Sequence, residues 1–260
     1  MGDMWWILPL LVSEPAQAQG VQLNIGQGRT VGGPRTPLTV EEQYELGMKY
    51  LKRGYYVKAL EQFNRIRNYH RDDPYAVKAE LAIADLYYKK SEWDQARLAY
   101  EDFLRLHPRH ESADYVVYRL GMTSWKKSPK IASRDQTWTR QAVDTWARFE
   151  VRFAESEYIE EVNENLGSAR DRLARKEFLI GTFYAEQRKA WPAVVGRMQE
   201  LLRAYPDSKD APMARAWLAV AHVELDQPEA AQQVAVRVVE DNDAKALRLL
   251  RRKAPELLGD

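Results

Sequence analysis

Three features of the sequence predict an all-α fold of about five stacked helix pairs. After Thr39, apolar residues recur at intervals of three and four, the period of a helix with one buried stripe. Helix breakers punctuate that pattern at Gly54, Pro74, Pro108, Pro129, Pro206 and Pro228. Between the breakers the same small and aromatic residues return, and self-similarity of this kind marks a stack of repeats. No long alternating β-branched run competes with the helical reading.

The chain before Thr39 has a different texture. Residues 5–12 (WWILPLLV) are apolar but fall short of the roughly 20 needed to cross a bilayer. Ala16-Gln17-Ala18 then supplies an A-x-A site, so residues 1–18 are expected to be a signal segment cleaved after Ala18. Asp3 stands where such segments carry basic residues. Residues 19–37 hold five glycines and two prolines and are expected to be a flexible tether. No Gly-Lys-Ser/Thr follows them, which sets a phosphate-binding loop aside.

Thr39 and Glu42 form a Ser/Thr-x-x-Glu capping box, which opens the first helix. The first repeat reads Leu46-Gly47-x-x-Tyr50, then Gly54-Tyr55-Tyr56, Ala59 and Phe63. The second reads Ile83-Ala84-x-x-Tyr87, then Ala96, Tyr100 and Phe103, closing on Pro108. Ala59 and Ala96 are 37 residues apart, close to the roughly 34 of the tetratricopeptide repeat, whose pattern both units follow. The third starts at Leu120-Gly121, carries an enlarged turn over residues 126–138, and resumes at Ala142, Trp146 and Phe149. Ala154 stands where its closing Pro would be, so the helix there is expected to run on. Ser156 to Arg188 has no breaker and reads as one long helix. The fourth repeat uses Ile180-Gly181-x-x-Tyr184, Val194, Met198 and Pro206; the fifth, weaker, uses Leu218, Ala219, Ala230 and Val234. Small residues at the Gly47, Ala84, Gly121 and Gly181 position let helices approach, and bulky ones fill the gaps between repeats. The expected fold is therefore a tetratricopeptide-repeat superhelix. Residues 38–155 hold repeats one to three, and residues 156–255 hold the long linking helix with repeats four and five.

Composition limits the function. Lys plus Arg is 39 and Asp plus Glu is 38, a net charge of +1, so nucleic acid is not an expected partner. The sequence contains no Cys, which removes disulfides, thiolate metal sites and Cys nucleophiles together. His107-x-x-His110 sits beside Pro108 without a third ligand in a helical frame, so no metal is expected. No Ser-His-Asp order stands out, and neither catalysis nor a cofactor is expected. A repeat stack of this kind is suited to holding protein partners.

Several stretches go beyond a generic repeat: HPRHESADYVVYRLGM at 107–122, SRDQT at 133–137, FAESEY at 153–158, and ARDRLARKEFLIGTFYAEQRKAWPAVVGRMQELLRAYPDS at 169–208. In these the chain resembles the BamD family, the outer-membrane β-barrel assembly lipoproteins of Gram-negative bacteria, over roughly residues 38–245. The resemblance implies a periplasmic subunit of the assembly machinery, held at the inner face of the outer membrane. Its C-terminal repeats would dock on the periplasmic domain of a BamA-like barrel subunit, and other lipoproteins of the machine would attach. Its N-terminal repeats would receive unfolded outer-membrane proteins by their C-terminal targeting segment. The family is normally anchored through an acylated Cys, which this sequence does not contain, so attachment to the membrane is expected either indirectly or through a lipid anchor not visible here. The alternative is another periplasmic repeat adaptor coordinating envelope processes.

The first helix of each pair is expected to line the inner side of the stack. Tyr44, Met48 and Lys52, then Tyr88 and Lys89, then Tyr118, Trp125 and Lys126 fall there, and the three lysines repeat every 37 residues. We expect an extended peptide with an aromatic residue and a free carboxylate, matched by the aromatic residues and the lysines. Lysines at helix C-termini also favour the helix dipole, which is the plainer account. Arg134, Trp191 and Arg197 are candidate partner contacts, since Trp and Arg commonly anchor interfaces. Against this, Asp135 suits an N-cap, Trp191 suits a core and Arg197 suits a solvated face.

Overall fold

A computed structural model describes residues 37–259, so the expected signal segment and all but the last residue of the expected tether lie outside the described residues. Among the described residues every regular element is helical. The first helix, α1 (Val40–Lys52), opens on the predicted box: the Thr39 hydroxyl accepts from the Glu42 N–H (3.1 Å) and the Glu42 carboxylate accepts from the Thr39 N–H (2.9 Å). Two of the donors left free at the helix start are thereby satisfied.

Five pairs follow one another: α1 with α2 (Tyr56–Tyr69), α3 (Pro74–Lys89) with α4 (Trp93–Leu106), α5 (Ala113–Lys127) with α6 (Thr137–Trp146), α8 (Ile159–Phe183) with α9 (Trp191–Ala204), and α10 (Ala211–Glu224) with α11 (Pro228–Asp241). The long helices pack each on the next, the four-residue α7 (Phe149–Arg152) touches α8, and α12 (Ala244–Lys253) closes the stack against α10. Short connections make such neighbours antiparallel. The turns inside pairs one, two, four and five share one geometry, with a single residue at positive φ: Gly54 (78°), Ser91 (60°), Lys189 (51°) and Asp226 (55°). Pair three replaces that turn with the enlarged one.

Two boundaries differ from expectation. The long helix starts at Ile159 rather than Ser156. The Ser156 hydroxyl is used in the loop, donating to Asp114 (2.7 Å) and accepting from the Tyr158 N–H (3.2 Å). Its far end widens into a π turn at Tyr184–Arg188 and stops at Lys189. Ala154 does not lengthen its helix. α7 ends at Arg152, and Phe153 (φ −138°, ψ 55°) takes the conformation of His107 (−127°, 57°) and Tyr205 (−139°, 58°), both of which precede a proline. Phe149 and Phe153 pack on the third repeat's core and fix that end without proline's help.

Small residues sit where the seams are tightest. Gly47 lies against Phe63, Gly121 against Trp146 and Gly181 against Met198, all three large side chains fully buried. The α8 helix contributes Val162 and Leu166 to the core of repeat three, and Ala174 and Phe178 to the core of repeats four and five. One helix thus belongs to both halves.

Candidate functional site

The predicted side chains fall along three lengths of α1, α3 and α5. At the first, α1, α3 and the loop before α5 enclose a groove of about 490 Å³. Tyr44, Met48, Leu51, Val77, Leu81 and Asp85 line it. Tyr44 is held by tilted contacts to Phe63 (5.7 Å) and Tyr75 (5.3 Å), so its ring is positioned before any ligand arrives. A second, shallower hollow joins Tyr44 and Met48 to Lys52.

The middle length is a phenol cluster. Asp85 accepts from the hydroxyls of Tyr100 (2.6 Å) and Tyr115 (2.8 Å). Burial raises its pKa above the usual carboxylate range, and the two phenols and Arg119 only partly offset this. Burial also raises Tyr100 and Tyr115, and the charge of Asp85 adds to it. The Arg119 guanidinium lies over the Tyr88 ring (4.5 Å) and beside those of Tyr115 (5.3 Å) and Tyr118 (5.6 Å). Its Nε donates to the Tyr115 hydroxyl (3.0 Å). Burial works against its charge, yet the Tyr115 hydrogen bond and the surrounding phenols leave its pKa raised. Tyr118 is buried, stacked on Tyr158 (4.9 Å, 7° between planes), and donates to Glu161 (2.7 Å).

At the third length Trp125 is covered by the guanidinium of Arg172 from α8, 3.8 Å from the ring. Arg172 also donates to the Ser128 hydroxyl (2.8 Å) and the Pro129 carbonyl (3.1 Å), tying α8 to the enlarged turn. Inside that turn the fully buried Gln136 donates to the Ile131 carbonyl (2.9 Å).

The three ladder lysines are exposed. Lys89 donates to the Leu51 carbonyl (3.4 Å) at the end of α1, which is a helix-capping role. Lys127, outside the ladder, pairs with Asp94 and covers the Trp138 ring. In the C-terminal half, Arg197 is exposed and paired with Glu177 of α8 (2.9 Å), while Trp191 is half-buried at the start of α9 against the core. Arg134 is exposed in the enlarged turn, next to Ser133, which shares an apolar hollow with Lys176, Leu179 and Phe183 of α8. Arg197 and the hollow beside Ser133 thus both lie on α8, and Trp191 packs against the core of repeats four and five. Asp135 accepts from the N–H (3.3 Å) and hydroxyl (3.0 Å) of Thr137, capping α6 from one residue outside its N-cap. His107 pairs with Glu80 (2.8 Å), and His110 accepts from the Ser112 N–H (3.1 Å).

Sequence reasoning missed Arg119, Tyr158, Glu161 and Gln136. A signal existed for Arg119: it is a cation set between Tyr118 and Leu120 in a half-buried helix, four residues after Tyr115.

Residues 37–236 match the family YfiO, described as outer membrane lipoprotein. The outer membrane protein assembly factor BamD of Neisseria gonorrhoeae is 28% identical over 217 residues, covering 80% of each chain. Its namesake in Vibrio cholerae is 26% identical over 177 residues, 65% of this chain and 73% of the relative. That of Pasteurella multocida is 23% identical over 223 residues, 82% of this chain and 85% of the relative. Of solved structures, the TPR2AB domain of yeast Sti1 in its pHSP90 complex matches with a TM-score of 0.43 and 16% identity, over 84% of this chain and 83% of that one. MamA of AMB-1 matches with a TM-score of 0.39 and 16% identity, over 81% and 97%.

Proposed function

We propose that this chain, which belongs to the YfiO family of outer-membrane lipoproteins, is a periplasmic scaffold and substrate-receiving subunit of the machinery that assembles outer-membrane β-barrel proteins. One observation carries the reading. The family match runs from residue 37 to 236 and so takes in every helix from α1 into α11, not a single generic repeat. The relatives named as assembly factors align over 65% to 82% of the chain.

In this reading the two halves have different work. Residues 38–155 receive unfolded outer-membrane proteins along α1, α3 and α5, where Tyr44 and Met48 offer an apolar groove; Tyr88 is half-buried beyond it, Tyr118 is buried and Trp125 is covered by Arg172. Lys52, Lys89 and Lys126 add a long-range attraction for negatively charged chain ends. Residues 156–255 dock on the periplasmic domain of a BamA-like subunit through Arg197 and Trp191, joined by Arg134 from the enlarged turn of repeat three, with other lipoproteins attached elsewhere. Arg197 is exposed and held by Glu177, which presents a fixed cation to a partner.

The test is a pull-down with the purified periplasmic domains of the cognate BamA-like protein. The wild type should form a complex at micromolar concentration, and Arg197→Glu should weaken it by at least about tenfold, the usual scale for an interface arginine. No complex with the wild type overturns the reading.

A further inference from the structure

We propose that Arg119 is a carboxylate seat: its guanidinium binds the carboxylate of a peptide whose apolar side chain lies in the α1–α3 groove. The inference rests on the reading that the inner face of repeats one to three receives peptide, and it names the chemistry that the face selects.

The side chain is unusually confined for an arginine. Three tyrosine rings flank the guanidinium at 4.5, 5.3 and 5.6 Å, and its Nε is fixed by the Tyr115 hydroxyl. Arginine carries about 2 kcal/mol of rotamer entropy, and a side chain already held this way loses little of it on binding. Yet the cation has no ion pair among the described residues. The acids around it serve other groups: Asp85 accepts from Tyr100 and Tyr115, and Glu161 accepts from Tyr118. The two terminal nitrogens of the fork are thus left without a carboxylate, and a planar fork of donors is matched by one in two parallel hydrogen bonds.

Its place relative to the groove supplies the rest. Asp85 lines the groove and holds the Tyr115 hydroxyl, and that same hydroxyl receives the Arg119 Nε. One phenol therefore separates the groove wall from the guanidinium. In the proposed complex the ligand's apolar side chain lies beside Met48, Leu51, Val77 and Leu81, and its carboxylate reaches past that phenol to the arginine. The lysine ladder lacks this confinement: Lys52, Lys89 and Lys126 are exposed, and Lys89 is engaged with the Leu51 carbonyl.

A peptide carboxylate comes either from the chain terminus or from an acidic side chain, and three N-terminally labelled peptides separate the two. One ends in Phe as the free acid, the second is its amide, and the third is the amide with an Asp beside the Phe. Fluorescence anisotropy is read with the wild type, Arg119→Gln and Arg119→Lys, each shown by thermal melting to be folded. The wild type should bind the acid at least about tenfold more tightly than the amide, the scale of a charge-assisted pair of hydrogen bonds. Recovery of the lost affinity by the Asp peptide assigns the seat to side-chain carboxylates, and no recovery assigns it to the terminus. Arg119→Gln should bind acid and amide alike, near the wild-type amide value. Arg119→Lys should keep only a small preference, because an ammonium cannot form the fork. An unchanged acid-to-amide ratio in Arg119→Gln, or an equal loss for both peptides, overturns the seat while leaving peptide reception intact. Failure of the wild type to bind any of the three overturns peptide reception itself.

Discussion

A methyl group added at Gly121 would lie 2.1 Å from Nε1 of Trp146, a rigid ring that is itself fully buried and donates to the Tyr118 carbonyl (3.3 Å). Added at Gly181, it would meet the Met198 Cε at 2.5 Å, the free end of a flexible side chain. Gly121→Ala should therefore cost about 2–3 kcal/mol and Gly181→Ala under about 1 kcal/mol in urea unfolding. Equal costs would contradict the seam geometry. Asp85 permits a pH experiment. Folding raises its pKa above 3.8, so its contribution to stability is full below about pH 4 and declines as pH rises through the shifted value. Asparagine cannot titrate and shows no such decline. The melting temperature of Asp85→Asn relative to wild type should climb between about pH 4 and 7, and a fall would show that the phenols, not burial, dominate. At this scale the seam residues were legible in the sequence, because a glycine or alanine recurring beside an aromatic is a packing signature. The Arg119 cluster was not. Its partners come from four helices: Tyr88 and Asp85 on α3, Tyr100 on α4, Tyr115 on α5 and Glu161 on α8, and only the spacing of Tyr115 and Arg119 is local.

Helix ends tell a similar story at the next scale. The capping box at Thr39 was readable because all its parts lie within four residues. The end of α7 was not, because Phe153 stops the helix through packing and Ala154 gives no sign of it. The backbone there already has the form that precedes Pro108 and Pro206, and the Ala154 N–H has no backbone acceptor. Ala154→Pro should thus stabilise the protein by roughly 0.4–1 kcal/mol, by restricting the unfolded chain alone. A loss of stability in thermal melts would show that this end differs from its counterparts. The enlarged turn of repeat three was seen as long, but its organisation around the buried Gln136 was not foreseen, since a glutamine reads as solvent-facing by type.

For residues 38–259, which pack as one unit, the central element is α8. It enters the core of repeat three at one end and that of repeats four and five at the other, and Arg172 locks it to Trp125 and the enlarged turn. The repeat number and the long helix were legible from breakers and periodicity. The division of work between the halves follows from the proposed function: a groove and carboxylate seat on α1, α3 and α5, and the docking arginines Arg134 and Arg197 against α8. On that proposal both surfaces are occupied together. The most direct measurement is the affinity of an outer-membrane protein C-terminal peptide for the protein, alone and saturated with the periplasmic domains of the BamA-like partner. Two independent surfaces predict values within about twofold of each other, a coupling near zero. Displacement of the peptide by the partner, or binding of neither, would contradict the account.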